Sequence, residues 1–323
     1  MTDINKLLKP RTIADTNVSV SRISLGCAGI GNLYNEVTEQ ATQDLLAYAW
    51  QEGIRYFDTA PHYGRGLSET RLGEFLKTTP RDEALISTKV GRVLRPGQKQ
   101  LKADGFINPL ANDVHYDYSA DGILESLEGS YKRLGVDKVD IVYVHDIGSL
   151  THGENNQKHL NDLLSTGLPM LETLKKQGII GAYGLGVNEC EVCVDVLKLH
   201  NLDVILLAGR WTLLDNSAEK ELLPLCLSGN TSLVLGGIFN SGILATGPTK
   251  GAHYDYEVAS EEVLQRTRLL EEHYAKQNTP LATAAMQFGL SKQIVSSVLI
   301  GTAKKSSLER NLNALNIANH SYP

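Results

Sequence analysis

The sequence predicts an α/β chain that folds as a single (β/α)8 TIM barrel with long substrate loops, one domain over residues 1–323. Three observations predict this. Short β-rich apolar runs alternate eight times with longer amphipathic runs. Most of the short runs are uninterrupted, as in Ile141-Val-Tyr-Val and Val204-Ile-Leu-Leu, which marks strands buried on both faces and paired in parallel. Eight such units in 323 residues suit a closed barrel of ~250 residues or more better than a doubly wound sheet, which usually has fewer strands.

In chain order, strands are expected at Arg22–Cys27, Ile54–Thr59, Ala84–Lys89, Val139–His145, Ile180–Val187, Val204–Ala208, Ser232–Ile238 and Val295–Ile300. The helices that follow them are expected at Glu39–Glu52, Ser68–Lys77, Asp121–Leu134, Leu160–Gln177, Glu191–His200, Ala218–Leu227, Glu261–Lys276 and Ser306–Ile317. A further helix, Leu281–Leu290, falls before the last strand. Ser68-Glu-Thr-Arg and Ser260-Glu-Glu-Val read as helix starts, while Gly53, Gly135 and Gly178 stand where helices end. Two connections, Val90–Ser119 and Asp146–Lys158, are longer than a barrel needs and read as walls of a substrate pocket.

Composition excludes several classes of function. The hydrophobic content of 42% and charged content of 21% are those of an ordinary globular chain. With 31 basic against 37 acidic residues the net charge is −6, and no basic stripe is available to neutralise a nucleic-acid backbone. No apolar run is long enough to span a bilayer, and Met1 to Arg11 lacks the apolar region of a secretory leader. These features predict a cytoplasmic protein without nucleic-acid or membrane partners. Four scattered cysteines fit a reducing compartment. Cys190-Glu-Val-Cys193 has half the spacing of a zinc site, but at i, i+3 in a helical segment it reads as two small apolar residues on one face, and no metal is expected.

In a barrel the active site forms at the C-terminal ends of the strands. Strand two ends in Asp58, strand three in Lys89 and strand four in His145, and the loop Pro61-His62-Tyr63-Gly64 adds a phenol. A buried carboxylate or ammonium needs a partner, and Asp58 and Lys89 on adjacent strands supply one to each other. A metal-dependent hydrolase using Asp58, His62, His145 and Asp146 is the rival reading, weakened because strand one carries no metal-ligating side chain.

The set Asp58-Thr-Ala-Pro-His-Tyr63-Gly, Leu67-Ser-Glu-Thr-Arg-Leu-Gly-Glu-Phe-Leu, Ser87-Thr-Lys89-Val and Val144-His145-Asp resembles the aldo-keto reductase superfamily over nearly the whole chain. Ile30-Gly-Asn-Leu-Tyr34, the run from Ser87 to Pro96, Leu207-Ala-Gly-Arg-Trp-Thr-Leu-Leu-Asp215 and Gly237-Ile-Phe-Asn-Ser-Gly-Ile-Leu244 resemble its bacterial aldose 1-dehydrogenase branch, which includes pyridoxal 4-dehydrogenases.

The resemblance implies a catalytic set of Asp58, Tyr63, Lys89 and His145. Tyr63 exchanges a proton with the substrate oxygen while hydride passes to or from a nicotinamide. Lys89 is expected to lower the phenol pKa by ~3 units, worth ~4 kcal/mol, held charged by Asp58, while His145 orients the substrate oxygen. The cofactor implied is NAD, with NADP possible, bound without a G-x-G-x-x-G turn. The run Gly26-Cys-Ala-Gly29-Ile-Gly31 has the wrong spacing for that turn and reads as a close backbone approach at the mouth.

Cofactor positions implied are Asn188 for the carboxamide, Phe239, Ser241, Gly242 and Leu244 along the pyrophosphate, and Gly301, Thr302, Lys304, Ser307, Arg310 and Asn311 around the adenosine end. The superfamily's usual stacking tyrosine falls at Gly236, which shifts stacking to Trp211 or Phe239. Ser307 stands where NADP-preferring members carry a phosphate-clamping arginine, which favours NAD. Arg92, Tyr116, Arg210 and Trp211, with His115 and Tyr118, are expected at the substrate mouth. The substrate implied is a small sugar or aldehyde, first an aldose of the L-fucose, L-galactose or D-arabinose type oxidised at C1 to the lactone, then pyridoxal, then a general aldehyde. A non-enzymatic cofactor-binding regulatory subunit is the reading from another class.

Overall fold

The computed structural model describes residues 9–320, with side chains described to Leu315. Residues 1–8, most of the segment read above for a leader, lie outside the described residues, as do 321–323. The eight expected strands form one closed parallel barrel in chain order: β1 Ile23–Gly26, β2 Tyr56–Asp58, β3 Leu85–Val90, β4 Ile141–His145, β5 Ala182–Val187, β6 Val204–Ala208, β7 Ser232–Gly236 and β8 Val295–Gly301. Val298 of β8 lies beside Ile23 of β1, which closes the ring. Nearly every strand residue is buried, as expected for strands with the barrel interior on one face and helices on the other.

The surrounding helices are α1 Glu39–Gln51, α2 Leu67–Leu76, α3 Ala120–Leu134, α4 Leu168–Lys176, α5 Glu191–Leu197, α6 Leu222–Ser228, α7 Glu261–Ala275, α8 Leu281–Leu290 and α9 Lys305–His320. Ser260 caps α7 by accepting from Val263 N, and Gly53, Gly135 and Gly178 take the left-handed conformation that ends a helix. Ser68 is not a cap. The α2 helix starts after Gly66, and the Ser68 hydroxyl instead donates to the Cys27 carbonyl (2.7 Å) beside Thr59. The helix expected at Leu160–Gln177 is divided into Asn156–Asp162, a widened turn Leu163–Gly167, and α4. Pro169 at the start of α4 cannot donate the backbone bond that a straight helix requires.

Both long connections carry structure. Arg92–Pro96 pairs antiparallel with Asn112–Tyr116, and a smaller hairpin joins Lys102–Ala103 to Phe106–Ile107. The connection after β4 holds the short helices Ser149–His152 and Asn156–Asp162. An unpredicted hairpin, His253–Tyr254 with Glu257–Val258, lies between β7 and α7, and another, Arg11–Thr12 with Ser19–Val20, precedes the barrel. Among the described residues no helix is long and apolar enough to cross a membrane. Cys190 and Cys193 are buried thiols; burial pushes Cys190 up to about 12, and the described residues contain no cluster suited to a metal ion.

Candidate active site

Strand register places the chemistry. Asp58 sits beside Ser87 across the β2–β3 pair, and the period of two turns Ser87 and Lys89 into the barrel while Thr88 points out to Glu69 of α2. Ser87 donates to Asp58 Oδ1 (2.7 Å), and Lys89 Nζ donates to Asp58 Oδ2 (2.7 Å) and to the Thr59 carbonyl (2.9 Å). Asp58 and Lys89 are 1% and 2% exposed, a fully desolvated ion pair in which both carboxylate oxygens have a donor. Below them the Tyr56 hydroxyl meets Ser87 and Tyr143, each at 3.0 Å, so the polar chain continues to the barrel floor.

Tyr63 is brought to this pair by backbone contact. The Lys89 ammonium is 4.7 Å from the Tyr63 ring centre. A Cβ on Gly31 would come within 2.8 Å of the Tyr63 carbonyl carbon, and one on Gly29 within 2.9 Å of the backbone at Thr302 and Ala303. The glycine run after β1 therefore provides the close backbone approach its sequence suggests. On the other side His145 meets the Tyr63 ring edge-on at 5.7 Å, and His62 meets His145 at 5.8 Å. Asp58, Tyr63, Lys89 and His145 thus converge at one mouth.

Electrostatics corrects one expectation. Burial pushes the Tyr63 phenol above its ordinary value, and the Asp58 and Asp146 charges add to this, so Lys89 opposes the rise without reversing it. Tyr63 is a protonated phenol here. Lys89 itself remains a firm cation: burial, the largest single influence, works against its charge, but Asp58 and the Tyr63 oxygen together outweigh it. His145 is held well below its ordinary value by burial and by Arg92 and Lys89, and His62 is pushed down to about 3 by burial and the same cations. Both imidazoles are neutral, and the Nδ1 atom of each is buried without a partner in the protein.

These observations place the protein in a family. The Aldo/keto reductase family matches residues 22–322. The chain is an aldo-keto reductase. It is 40% identical to pyridoxal 4-dehydrogenase from Microbacterium luteolum, over 95% of this chain and 93% of that protein. It is 36% identical to D-threo-aldose 1-dehydrogenase from a Pseudomonas species, over 92% and 90%. Among solved structures, the holo form of aldo-keto reductase AKR11C1 from Bacillus halodurans superposes with a TM-score of 0.74 at 24% identity, covering 95% of this chain and 91% of that one, which bears on the fold. The protein is an oxidoreductase of a family that uses nicotinamide cofactors.

The residues the resemblance assigns to a dinucleotide lie after β5, β7 and β8. A Cβ at Gly242 or Gly301 would meet nothing within 4 Å, leaving room against the backbone. Thr302 Oγ1 accepts from Lys304 N (3.1 Å) and shapes the turn into α9, whose N-terminal N–H groups suit an anion beside the exposed Lys304 and Arg310. Arg310 donates to the Ser307 hydroxyl (3.3 Å), and Asn311 is buried. Asn188, at the end of β5, donates to Asp146 (3.0 Å) and accepts from the Tyr256 hydroxyl (3.1 Å). Ser241 accepts from the Tyr256 backbone N–H (2.8 Å). Phe239 is half-buried at the start of the same turn.

Several expected contacts are corrected. Leu244 has its side chain buried in a core with Leu214, Ile243 and Leu281, and its N–H is used by the Phe239 carbonyl, so it offers nothing to a pyrophosphate. Trp211 is 5% exposed, its indole donating to Glu219 (3.0 Å) and packing edge-on against Phe288 of α8, so it is wall rather than a stacking or substrate surface. Tyr118 is fully buried and donates to the His145 carbonyl (2.9 Å), which fixes that strand end instead of lining the mouth.

Arg210 does not face substrate either; its guanidinium grips Asp255 through two bonds (2.7 and 2.9 Å) and its Nε donates to the Asn188 carbonyl. Arg92 and Tyr116 do lie at the mouth: Arg92 pairs with Asp146 (2.6 Å) and sits 5.6 Å from the exposed Tyr116 ring centre. His115 is exposed beside it. Phe106 packs against both His62 and Tyr63, and Tyr256 bonds Asn188; neither was singled out, because hairpins that fold back over a barrel leave no periodic signal. Asp146 was legible only as a metal ligand, a role the structure does not assemble because Asp58 is committed to Lys89.

Proposed function

We propose that this aldo-keto reductase oxidises the anomeric carbon of an aldose to a lactone, with NAD as the preferred cofactor and NADP as the alternative. The observation that carries it is the polar mouth around Tyr63: neutral His62 and His145 beside the phenol, and the Arg92–Asp146 pair, give a setting of hydrogen-bonding groups for a polyhydroxylated ring. A bound nicotinamide supplies the hydride acceptor. In the oxidising direction Tyr63 first releases its own proton to solvent; the phenolate, stabilised by the Lys89 ammonium that Asp58 keeps charged, then takes the proton of the anomeric hydroxyl as hydride leaves C1. His145, neutral and held through its carbonyl by Tyr118, orients the reacting oxygen.

The cofactor reading rests on Ser307, whose hydroxyl engages Arg310 at the position where a clamping arginine would stand. The chemistry is carried by the single barrel domain, and its free, buried cysteines suit the cytoplasm. The 40% identity to a pyridoxal 4-dehydrogenase favours pyridoxal as the second substrate reading. The test is turnover of L-fucose, L-galactose, D-arabinose and pyridoxal with NAD and NADP, followed by nicotinamide absorbance, in wild type and Tyr63→Phe. Sugar oxidation that the variant loses while still binding dinucleotide is the expected result. A Tyr63→Phe enzyme with near-normal kcat removes the assigned role, and dinucleotide binding with no turnover of any substrate favours a regulatory subunit.

A further inference from the structure

Asp146 is an unusual residue at an informative place. It follows His145 at the end of β4 with φ of 43°, a left-handed conformation that costs a non-glycine residue energy and that the surroundings must hold. Its N–H donates to the Gly186 carbonyl (2.9 Å), and Asn188 and Arg92 bind its two carboxylate oxygens at 3.0 and 2.6 Å. Oδ2, the oxygen that takes Arg92, is also 3.4 Å from His145 Nε2. The Arg92 side chain is 7% exposed and the Asp146 side chain 16%, so the carboxylate is the more accessible member of the pair. A charged acceptor is therefore held in a fixed orientation next to the imidazole assigned to the reacting oxygen.

We infer that Asp146, positioned by Arg92, reads the hydroxyl on the carbon next to the reacting one, making a vicinal diol (the C1 and C2 hydroxyls of the aldose) the feature the site selects. Oxygens on adjacent carbons lie roughly 3 Å apart, about a hydrogen-bond length, close enough for one to meet His145 and the other Asp146, whose Nε2 and Oδ2 atoms are 3.4 Å apart. The C2 hydroxyl donates to the Asp146 carboxylate, which Arg92 and Asn188 hold in place. A methyl ether or a hydrogen at C2 leaves that carboxylate without its proton partner. This assignment rests on the aldose reading above and adds to it the position on the sugar that decides selectivity.

The test compares kcat/KM for an aldose and its 2-deoxy counterpart in wild type, Asp146→Asn and Arg92→Lys. Asparagine tolerates the left-handed backbone at 146, so the fold is preserved, and circular dichroism checks it. Wild type is expected to prefer the 2-hydroxylated sugar by about 10- to 100-fold, the range for a hydrogen bond to a charged group. Both variants are expected to bring the ratio toward one. Intrinsic reactivity of the two sugars cancels when the ratios are compared between enzymes, and a merely structural role for the pair would lower both rates together and leave the ratio in place. Equal rates in wild type, or an unchanged ratio in both variants, overturn the assignment while aldose oxidation stands. Failure of wild type to oxidise either sugar, with dinucleotide binding intact, overturns the aldose reading and this one with it.

Discussion

Replacing Asp58 by asparagine separates the two tasks of the buried ion pair. Lys89 is 2% exposed and keeps its charge because Asp58 offsets the cost of burial. Breaking a buried pair by removing one partner costs ~3–5 kcal/mol, and in a chain of this length that lowers Tm by roughly 4–7 °C. The ammonium then faces burial alone, which depresses a fully buried lysine by up to ~3–5 units and brings its titration into the neutral range. Two effects act on Tyr63. Loss of the Asp58 charge lowers the phenol pKa, and loss of the Lys89 charge raises it; the Lys89 influence is the larger, so the phenol rises.

Each unit of that rise is a tenfold loss of phenolate, so oxidation at neutral pH falls by about tenfold or more and the kcat/KM profile moves to higher pH. In wild type the raised Lys89 pKa means the pair stabilises the fold through the whole neutral range and weakens only in strongly alkaline solution. Thermal unfolding and a pH–rate profile of the purified variant measure both effects. An unchanged Tm, or a profile displaced toward acid, refutes the reasoning.

Three further outcomes follow from the geometry. His62 and His145 are neutral in the fold, so their stabilisation is complete above their ordinary pKa of 6.5 and drains away below it, at up to ~1.4 kcal/mol per pH unit for each; a urea midpoint that does not fall between about pH 7 and about pH 5 contradicts this, and His62→Gln with His145→Gln flattens the dependence. Arg71 of α2 donates to the Ile30 and Val37 carbonyls and to Asn32, all buried, so Arg71→Met is expected to cost about 3 kcal/mol in a denaturant titration and to expose the 30–37 segment to proteolysis. Asp255→Ala frees the hairpin that Arg210 pins and that Tyr256 ties to Asn188 and Ser241; dinucleotide should then dissociate faster in stopped-flow chase, and an unchanged off-rate shows that this hairpin does not cover the groove.

The barrel was legible because its strands are continuous apolar runs and its helices amphipathic; Val204–Ala208 and Leu281–Leu290 fall where the pattern places them. The cluster of ionisable residues at the barrel mouth was legible for a related reason. An ionisable group ending a buried strand is costly, so Asp58, Lys89 and His145 stand out against their apolar neighbours. What the pattern does not carry is long-range folding back. The Arg92–Pro96 and Asn112–Tyr116 strands find each other across a connection with no alternation to announce it, and Tyr256 reaches Asn188 from a hairpin far along the chain. Side-chain direction was equally hidden: Trp211 and Tyr118 sit in segments that border the mouth, but their hydrogen bonds to Glu219 and the His145 carbonyl turn them into its walls. The sign of the Tyr63 shift depends on burial and on Asp146, neither of which spacing along a chain reveals.

The loop after β1 touches the backbone at Thr302 through Gly29 and the backbone at Tyr63 through Gly31, two contacts only two residues apart. It therefore works as a gauge block between the end of β8 and the Tyr63 phenol. Any widening of that short span, by a side chain at either glycine, would alter the distance between these two parts of the proposed site while leaving every ionisable residue in place.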